Sequence, residues 1–228
     1  MADLIRDCLV LSNAVYSGTV PADMGIIEYQ RIEEPKTDTS AIAYIRTHDI
    51  IIAVQGSQSL ADWHNNTKIR KTDFHGIRAH RGFAAAAESI LVRVMKTIAA
   101  HSDKHVVLTG HSLGGAIATL LAVALRPKQI SVITAGQPKV ATEQELRLAM
   151  YGEYIRVVNG SDLVPRVPRF GFAHAGTCVY LSNQGKKILD PSMFTMLWDR
   201  TLTLWQSQRA SDHFSRDYIE EYDRCAQS

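Results

Sequence analysis

Cysteine is scarce in this 228-residue chain, with Cys8, Cys178 and Cys225 as its three representatives. They are odd in number, far apart and without a C-x-x-C pair, so neither a disulfide framework nor a cysteine zinc site follows, and a reducing compartment is the expectation. Net charge is also nearly missing. Twenty-five Lys and Arg against 23 Asp and Glu leave +2, too little for a nucleic-acid footprint. Long hydrophobic runs are absent as well: the longest, around Ala116–Leu125, is about half the ~20 residues of a spanning helix. The opening MADLIRDCLVLSNAVYSG is broken by Asp3, Arg6 and Asp7, which excludes a signal-peptide core. Cytoplasmic location is the default expectation, with a signal-less export route left open. The histidines show no metal-ligand pairing, and His64, His75 and His80 read as surface residues, so no metal and no cofactor are expected.

What is present is ordinary globular material, 46% hydrophobic and 21% charged, in a chain long enough to bury a sizeable core. No repeat, low-complexity tract or long linker divides it, and residues 1–228 read as one domain. Leu4, Cys8, Leu11, Ala14 and Val15 recur at helical spacing. Ser40–Ile45 and Ile50–Val54 are β-rich runs joined as an antiparallel hairpin, and Arg81–Ala100 is a long helix. Strands His105–Thr109, Ile130–Ala135 and Tyr154–Val158 then alternate with helices Leu113–Leu125, stopped by Pro127, and Glu143–Met150. That alternation predicts an α/β fold with a mostly parallel central sheet flanked by helices. Val179–Leu181 reads as a short strand, Ser192–Gln206 as an apolar helix, and Asp212–Arg224 as helix or loop. The segment from Met193 to Trp198, with Leu202, Leu204 and Trp205, lines an acyl pocket or packs the core, the core being preferred.

Between a buried strand and an Ala-rich helix stands Gly110-His-Ser112-Leu-Gly114, the G-x-S-x-G pattern in its strand–turn–helix context. A serine on so sharp a turn holds a strained backbone, glycines two residues to either side remove colliding side chains, and the helix N-terminus favours negative charge. Ser112 is therefore the candidate nucleophile; its alternative role is a helix cap. A serine needs a base, and the base a carboxylate, in the chain order serine, acid, histidine on such a fold. Asp162 follows strand Tyr154–Val158 directly and is the preferred acid, with Asp190 in reserve and Glu143, Glu145 and Glu153 read as solvated. Only His174 and His213 lie beyond it. Polar surroundings favour His213 as base, whereas Phe172-Ala-His174-Ala-Gly176 suits a buried, hydrogen-bonded histidine.

Taken together, the chain resembles the class 3 lipases, the fungal-lipase-like branch of the α/β-hydrolases. The resemblance rests on Ile51-Ile-Ala-Val-Gln-Gly-Ser57, Ala61-Asp62-Trp63, His80-Arg-Gly-Phe83, Val106–Gly115, Thr134-Ala-Gly-Gln-Pro-Lys-Val140 and Arg156–Pro168, in order across about residues 40 to 215. It implies the triad Ser112, Asp162 and His213, and an oxyanion hole from the backbone N–H groups of Leu113 and Ser57. It implies a lid over Ser59–Phe74 with Leu60 and Trp63, for which an anchored surface loop is the alternative. Gln55 departs from the family's usual arginine and puts the bracing of the oxyanion strand in question. The implied activity is a serine ester hydrolase that cleaves acylglycerols or related lipid esters through an acyl-enzyme, without cofactor, its partner a lipid ester, at a lipid–water interface where the lid opens. Phospholipase A1, acyltransferase, water-soluble carboxylesterase and an inactive lipid-binding protein are the rival readings.

Overall fold

Strand β3 (Asp49–Val54) shows how the core is organised. In the computed structural model, which describes residues 2–56, 70–126, 128–205 and 214–226, its Ile50, Ile52 and Val54 join one apolar cluster while Ile51 and Ala53 join another. Successive side chains of a strand point to opposite faces, so a run that is apolar at every position belongs to a sheet covered on both sides. Here both sides are covered. Helices α2 (Arg81–Ala100) and α3 (Leu113–Ala124) lie over the first face, and α1 (Ala2–Ser17) with the C-terminal α6 (Ser215–Arg224) over the second.

The sheet has eight strands in the order β1 (Glu28–Glu34), β2 (Thr39–Ile45), β3, β6 (His105–His111), β7 (Ser131–Ala135), β8 (Tyr154–Asn159), β9 (Thr177–Leu181) and β10 (Lys187–Leu189). β3, β6, β7, β8 and β9 pair in parallel; β1, β2 and β10 are antiparallel additions. The carboxyl ends of β3, β6 and β8 therefore share one edge, where α/β folds place their ligand sites. The fold expectation is met.

β1, β10 and a separate two-stranded hairpin were not foreseen. β1 exposes most of its residues (Glu28, Tyr29, Gln30, Arg31) and buries Ile32, the polar character of an edge strand. β4 (Lys71–Phe74) and β5 (Ile77–His80) form a separate hairpin around His75 and Gly76, both at positive φ, as a two-residue hairpin turn requires. Phe74 is thus a core residue and not part of a flap. Ser57, Leu60, Trp63 and Ile69 lie outside the described residues, so the lid expectation does as well.

Helix α5 (Met193–Trp205) corrects a second expectation. Its Met193, Phe194, Leu197 and Trp198 are exposed and its Asp199 is buried, while the side chains of Leu202, Leu204 and Trp205 lie outside the described residues. The helix is held through that carboxylate, which accepts hydrogen bonds from Tyr180 Oη, Asn183 N and Asn183 Nδ2, each at 3.0 Å. A polar anchor has taken the inward position that the apolar side chains were assigned. The remaining helix, α4 (Glu143–Ala149), opens with a capping box in which the Thr142 side chain accepts from Glu145 N and the Glu145 carboxylate from Thr142 N. Glu145 also accepts from Arg78 N at 2.8 Å, so it braces the hairpin and is not simply solvated. His80 is no surface residue either: it stacks on Phe83 at 4.1 Å between ring centroids, and burial pushes its pKa down. Among the described residues, no helix is long and apolar enough to cross a membrane, and all three cysteines are free and buried.

Candidate active site

β6 carries the buried run Val106–His111 into Ser112, which sits at φ 56°, ψ −126°. A non-glycine residue in that region is strained, and the surroundings hold it there. Ser112 N donates to Ala135 O of β7 at 2.9 Å, while Ser112 O accepts from Gly115 N and Ala116 N as α3 begins. The flanking glycines are steric necessities. A Cβ on Gly110 would stand 2.6 Å from Gly114 O, and one on Gly114 would stand 2.9 Å from the Val54 carbonyl carbon, with Val54 O nearer still. The serine and helix α3 can approach β3 so closely only because both positions lack side chains. Leu113, as the first residue of α3, presents one of the N–H groups that a helix leaves without an intrahelical acceptor, beside the Ser112 hydroxyl and at the positive end of the helix dipole.

The end of β3 is braced on both sides. Gln55, which stands in place of the arginine of the resemblance, donates its N–H to Ser40 O at 2.9 Å and accepts from Ser40 Oγ at 2.6 Å. The substitution keeps the bracing by other means. Gly56 lies against Tyr16 of α1: a Cβ there would collide with Tyr16 Oη and fall 2.9 Å from His111 O. Tyr16 Oη is 3.3 Å from His111 Nδ1, and burial pushes its pKa up to about 12, so the phenol stays neutral. The end of β3, the residue before Ser112 and helix α1 thereby share one contact.

Asp162 lies at the same sheet edge, on the loop after β8, and is 3% exposed. Its backbone N–H donates to Asn159 O at 3.1 Å, and its Oδ1 accepts from Val164 N at 2.8 Å, an Asx turn that fixes the side chain. Oδ2 accepts from Tyr218 Oη of α6 at 2.6 Å. Asp190 belongs to the opposite edge. Its Oδ1 accepts from Cys178 N near the start of β9 at 2.7 Å, which removes it as an alternative acid.

His174 is engaged elsewhere. Its Nε2 lies 2.7 Å from Pro165 O; a carbonyl only accepts, so Nε2 carries the proton. Burial, with help from Arg156 and Lys139 and against the Pro165 hydrogen bond, lowers its pKa to about 3. An imidazole so weakly basic, with one nitrogen committed to a backbone carbonyl, does not suit general-base work near neutrality. His213 and Ser57 lie outside the described residues. At the start of α6 the Phe214 N–H donates to Asp217 Oδ2 at 3.2 Å, and Ser215 Oγ donates to Asn13 Oδ1 of α1 at 2.7 Å.

Tyr16, Tyr218 and His111 were not singled out from the sequence. His111 packs edge-on against both phenol rings, at 6.3 and 5.7 Å between centroids. The available signal was thin: Tyr218 is one of two tyrosines on the inner face of the polar segment Ser215–Arg224. Among the described residues, no group of His, Cys, Asp and Glu is arranged to hold a metal.

The lipase (class 3) family profile matches residues 51–172, a span that includes Ser112, Asp162 and the end of β3. A secreted mono- and diacylglycerol lipase from Fusarium solani is 31% identical over 155 residues, covering 60% of this chain and 46% of its own. A triacylglycerol lipase from Nicotiana tabacum is 30% identical over 198 residues, covering 76% of this chain and 34% of its own. The chain thus spans less than half the length of these curated relatives. The Rhizomucor miehei lipase–propeptide complex superimposes with a TM-score of 0.67 at 25% identity, covering 82% of this chain and 70% of that one. The match to the profile extends over more than half of the sequence and the sheet is that of an α/β-hydrolase, so the chain belongs to the class 3 lipase family.

Proposed function

We propose that the protein is a serine ester hydrolase acting on acylglycerols or related lipid esters. The observation that carries this reading is Ser112 held at positive φ on the elbow between β6 and α3, with a buried carboxylate, Asp162, on the same sheet edge. Ser112 Oγ attacks the ester carbonyl as His213 takes its proton, and Asp162 steadies the resulting imidazolium. The N–H groups of Leu113 and Ser57 hold the oxyanion; in such sites one donor is worth about 3 to 4 kcal/mol of barrier. His213 then protonates the leaving alcohol, and water activated by the same imidazole releases the fatty acid. His213 as base is supported by chain order, by the engagement of His174 with Pro165 O, and by α6, which starts two residues after it and delivers Tyr218 to Asp162.

A lipid ester as substrate is supported by the relatives, which are lipases, and the exposed apolar side chains of Leu163 and Phe170, in and after the acid loop, and of Phe214, next in sequence to His213, suit a partner with acyl chains. The test is Ser112→Ala assayed on p-nitrophenyl esters of rising chain length and on dispersed triacylglycerol, with fluorophosphonate labelling of the parent protein. Loss of turnover and of labelling in a variant with an unchanged melting curve is the expected outcome. A fully active Ser112→Ala protein overturns the proposal.

A further inference from the structure

The C-terminal helix contributes a hydroxyl to the acid of the site. Tyr218 is fully buried. Its oxygen accepts from Asn159 N at 3.2 Å and donates to Asp162 Oδ2 at 2.6 Å. The direction of that chain is fixed by chemistry: the Asn159 N–H only donates, so the phenol proton goes to the carboxylate. With Oδ1 taken by Val164 N at 2.8 Å, each oxygen of Asp162 has a donor, and the two donors come from opposite ends of the carboxylate.

We propose that Tyr218 is a positioning residue for the reaction, orienting Asp162 and drawing off part of its negative charge, so that it tunes the basicity of the catalytic imidazole. The inference rests on the reading of Asp162 and His213 as acid and base. A hydrogen bond to an ionised carboxylate is stronger than one to a neutral acceptor, and a carboxylate relieved of that donor attracts an adjacent imidazolium more strongly. The phenol therefore holds the base at a lower pKa than a bare carboxylate would. The titratable groups facing the phenol are Asp162, the His111 imidazole at the end of β6 and the Cys178 thiol of β9. Burial beside Asp162 pushes the phenol's own pKa well up, so Tyr218 remains a donor throughout the working range.

Tyr218→Phe keeps the ring that packs edge-on against His111 and removes only the hydroxyl. Steady-state kinetics on p-nitrophenyl butyrate across pH should show kcat lower by about tenfold, the fold-change for losing one charge-assisted hydrogen bond, with KM little changed. The acid limb of kcat/KM should move to higher pH. Unchanged kcat and limb overturn the proposal; so does a fall in kcat with an unmoved limb, which marks a purely structural role. Should Tyr218→Phe fail to fold, difluorotyrosine introduced at position 218, a stronger donor of nearly the same shape, should shift the limb downward, and an unmoved limb there is equally fatal. Asp162→Ala is measured alongside. If it stays active, the acid assignment itself is wrong; if it is inactive while Tyr218→Phe behaves like the parent, only the role of Tyr218 is lost.

Discussion

Replacing Gly114 by alanine tests the elbow where it is tightest. The added Cβ would stand 2.9 Å from the carbonyl carbon of Val54 and 3.0 Å from that of Gln55. Carbon atoms pack best at about 3.5–4.0 Å, and Val54 O lies nearer to the added Cβ than either carbon, so the first turn of α3 and the end of β3 have to part by about 1 Å or more. Both neighbours are backbone, and neither has a rotamer to change. Overpacking of this kind costs about 1–3 kcal/mol of stability. The larger effect falls on the reaction, because the two elements forced apart carry Leu113 on one side and the chain leading to Ser57 on the other. A misplacement near 1 Å costs about 100-fold in rate. Gly114→Ala is therefore expected to lose about two orders of magnitude in kcat on p-nitrophenyl butyrate while still folding, as followed by thermal melting. A variant within twofold of the parent in kcat, with an unshifted melting temperature, would refute the steric reasoning and with it the need for glycine at the turn.

The two histidines should separate cleanly. His213→Ala is expected to lower kcat by at least about 1,000-fold, as loss of a triad base does, whereas His174→Ala stays active and loses about 1–2 kcal/mol of stability at pH 8 with its hydrogen bond to Pro165 O; the opposite result reassigns the base. The stability cost of His174→Ala should also shrink toward acid. The native residue stays neutral down to about pH 3 while the unfolded chain takes up its proton below about 6.5, so His174 lowers stability as pH falls through that window, by about 2 kcal/mol at pH 5. Denaturant titrations at pH 8 and 5 check the sign, and a cost that grows toward acid contradicts it. Arg46, whose guanidinium meets Asp49 at 2.6 Å and Asp7 at 2.5 Å with little solvent exposure, ties α1 to the sheet. Arg46→Ala removes the cation that two half-buried carboxylates share and should cost about 2 kcal/mol in denaturant unfolding; a loss below about 0.5 kcal/mol would place the cluster among ordinary surface pairs.

The parallel strands and the helices over them were legible because burial on both faces leaves unbroken apolar runs such as Ile50–Val54 and Val106–Leu108. The elbow at Ser112 was legible because its backbone geometry demands glycine two residues to either side, a demand written into the sequence. β1 was not, since an edge strand carries Glu28, Gln30, Arg31 and Glu33 without losing its ladder on the inner side. The hairpin of β4 and β5 hid behind His75, a residue not expected at positive φ. Helix α5 misled for the opposite reason. Its apolar spacing is helical, yet hydrophobic pattern alone does not say which face looks inward, and one buried carboxylate with three donors turned Phe194 and Trp198 outward. Tyr16 and Tyr218 were invisible because their importance lies in one hydroxyl each, aimed across about 95 and 56 residues of sequence at His111 and Asp162.

That last pair shows how labour is divided within the fold. The span matched by the family, residues 51–172, carries Ser112, Asp162 and the end of β3, the proposed nucleophile, acid and frame of the oxyanion hole, at or beside strand ends whose positions are fixed by the sheet ladder. Orientation comes from outside that span. α1 and α6 pack on each other through Arg6 and Asp223, joined at 2.8 Å, and through Ser215 and Asn13, and from this joint surface one phenol reaches the residue before Ser112 and the other reaches Asp162. Loosening the helix pair would therefore slacken both supports together, while Ser112 keeps its hydrogen bond to β7 and the glycines that let the chain turn. Such a protein would still carry a serine in the right place but would lack the alignment that makes it fast. On this reading the chemistry belongs to the sheet edge, and the two helices on one face of the sheet supply the hydroxyls that orient it.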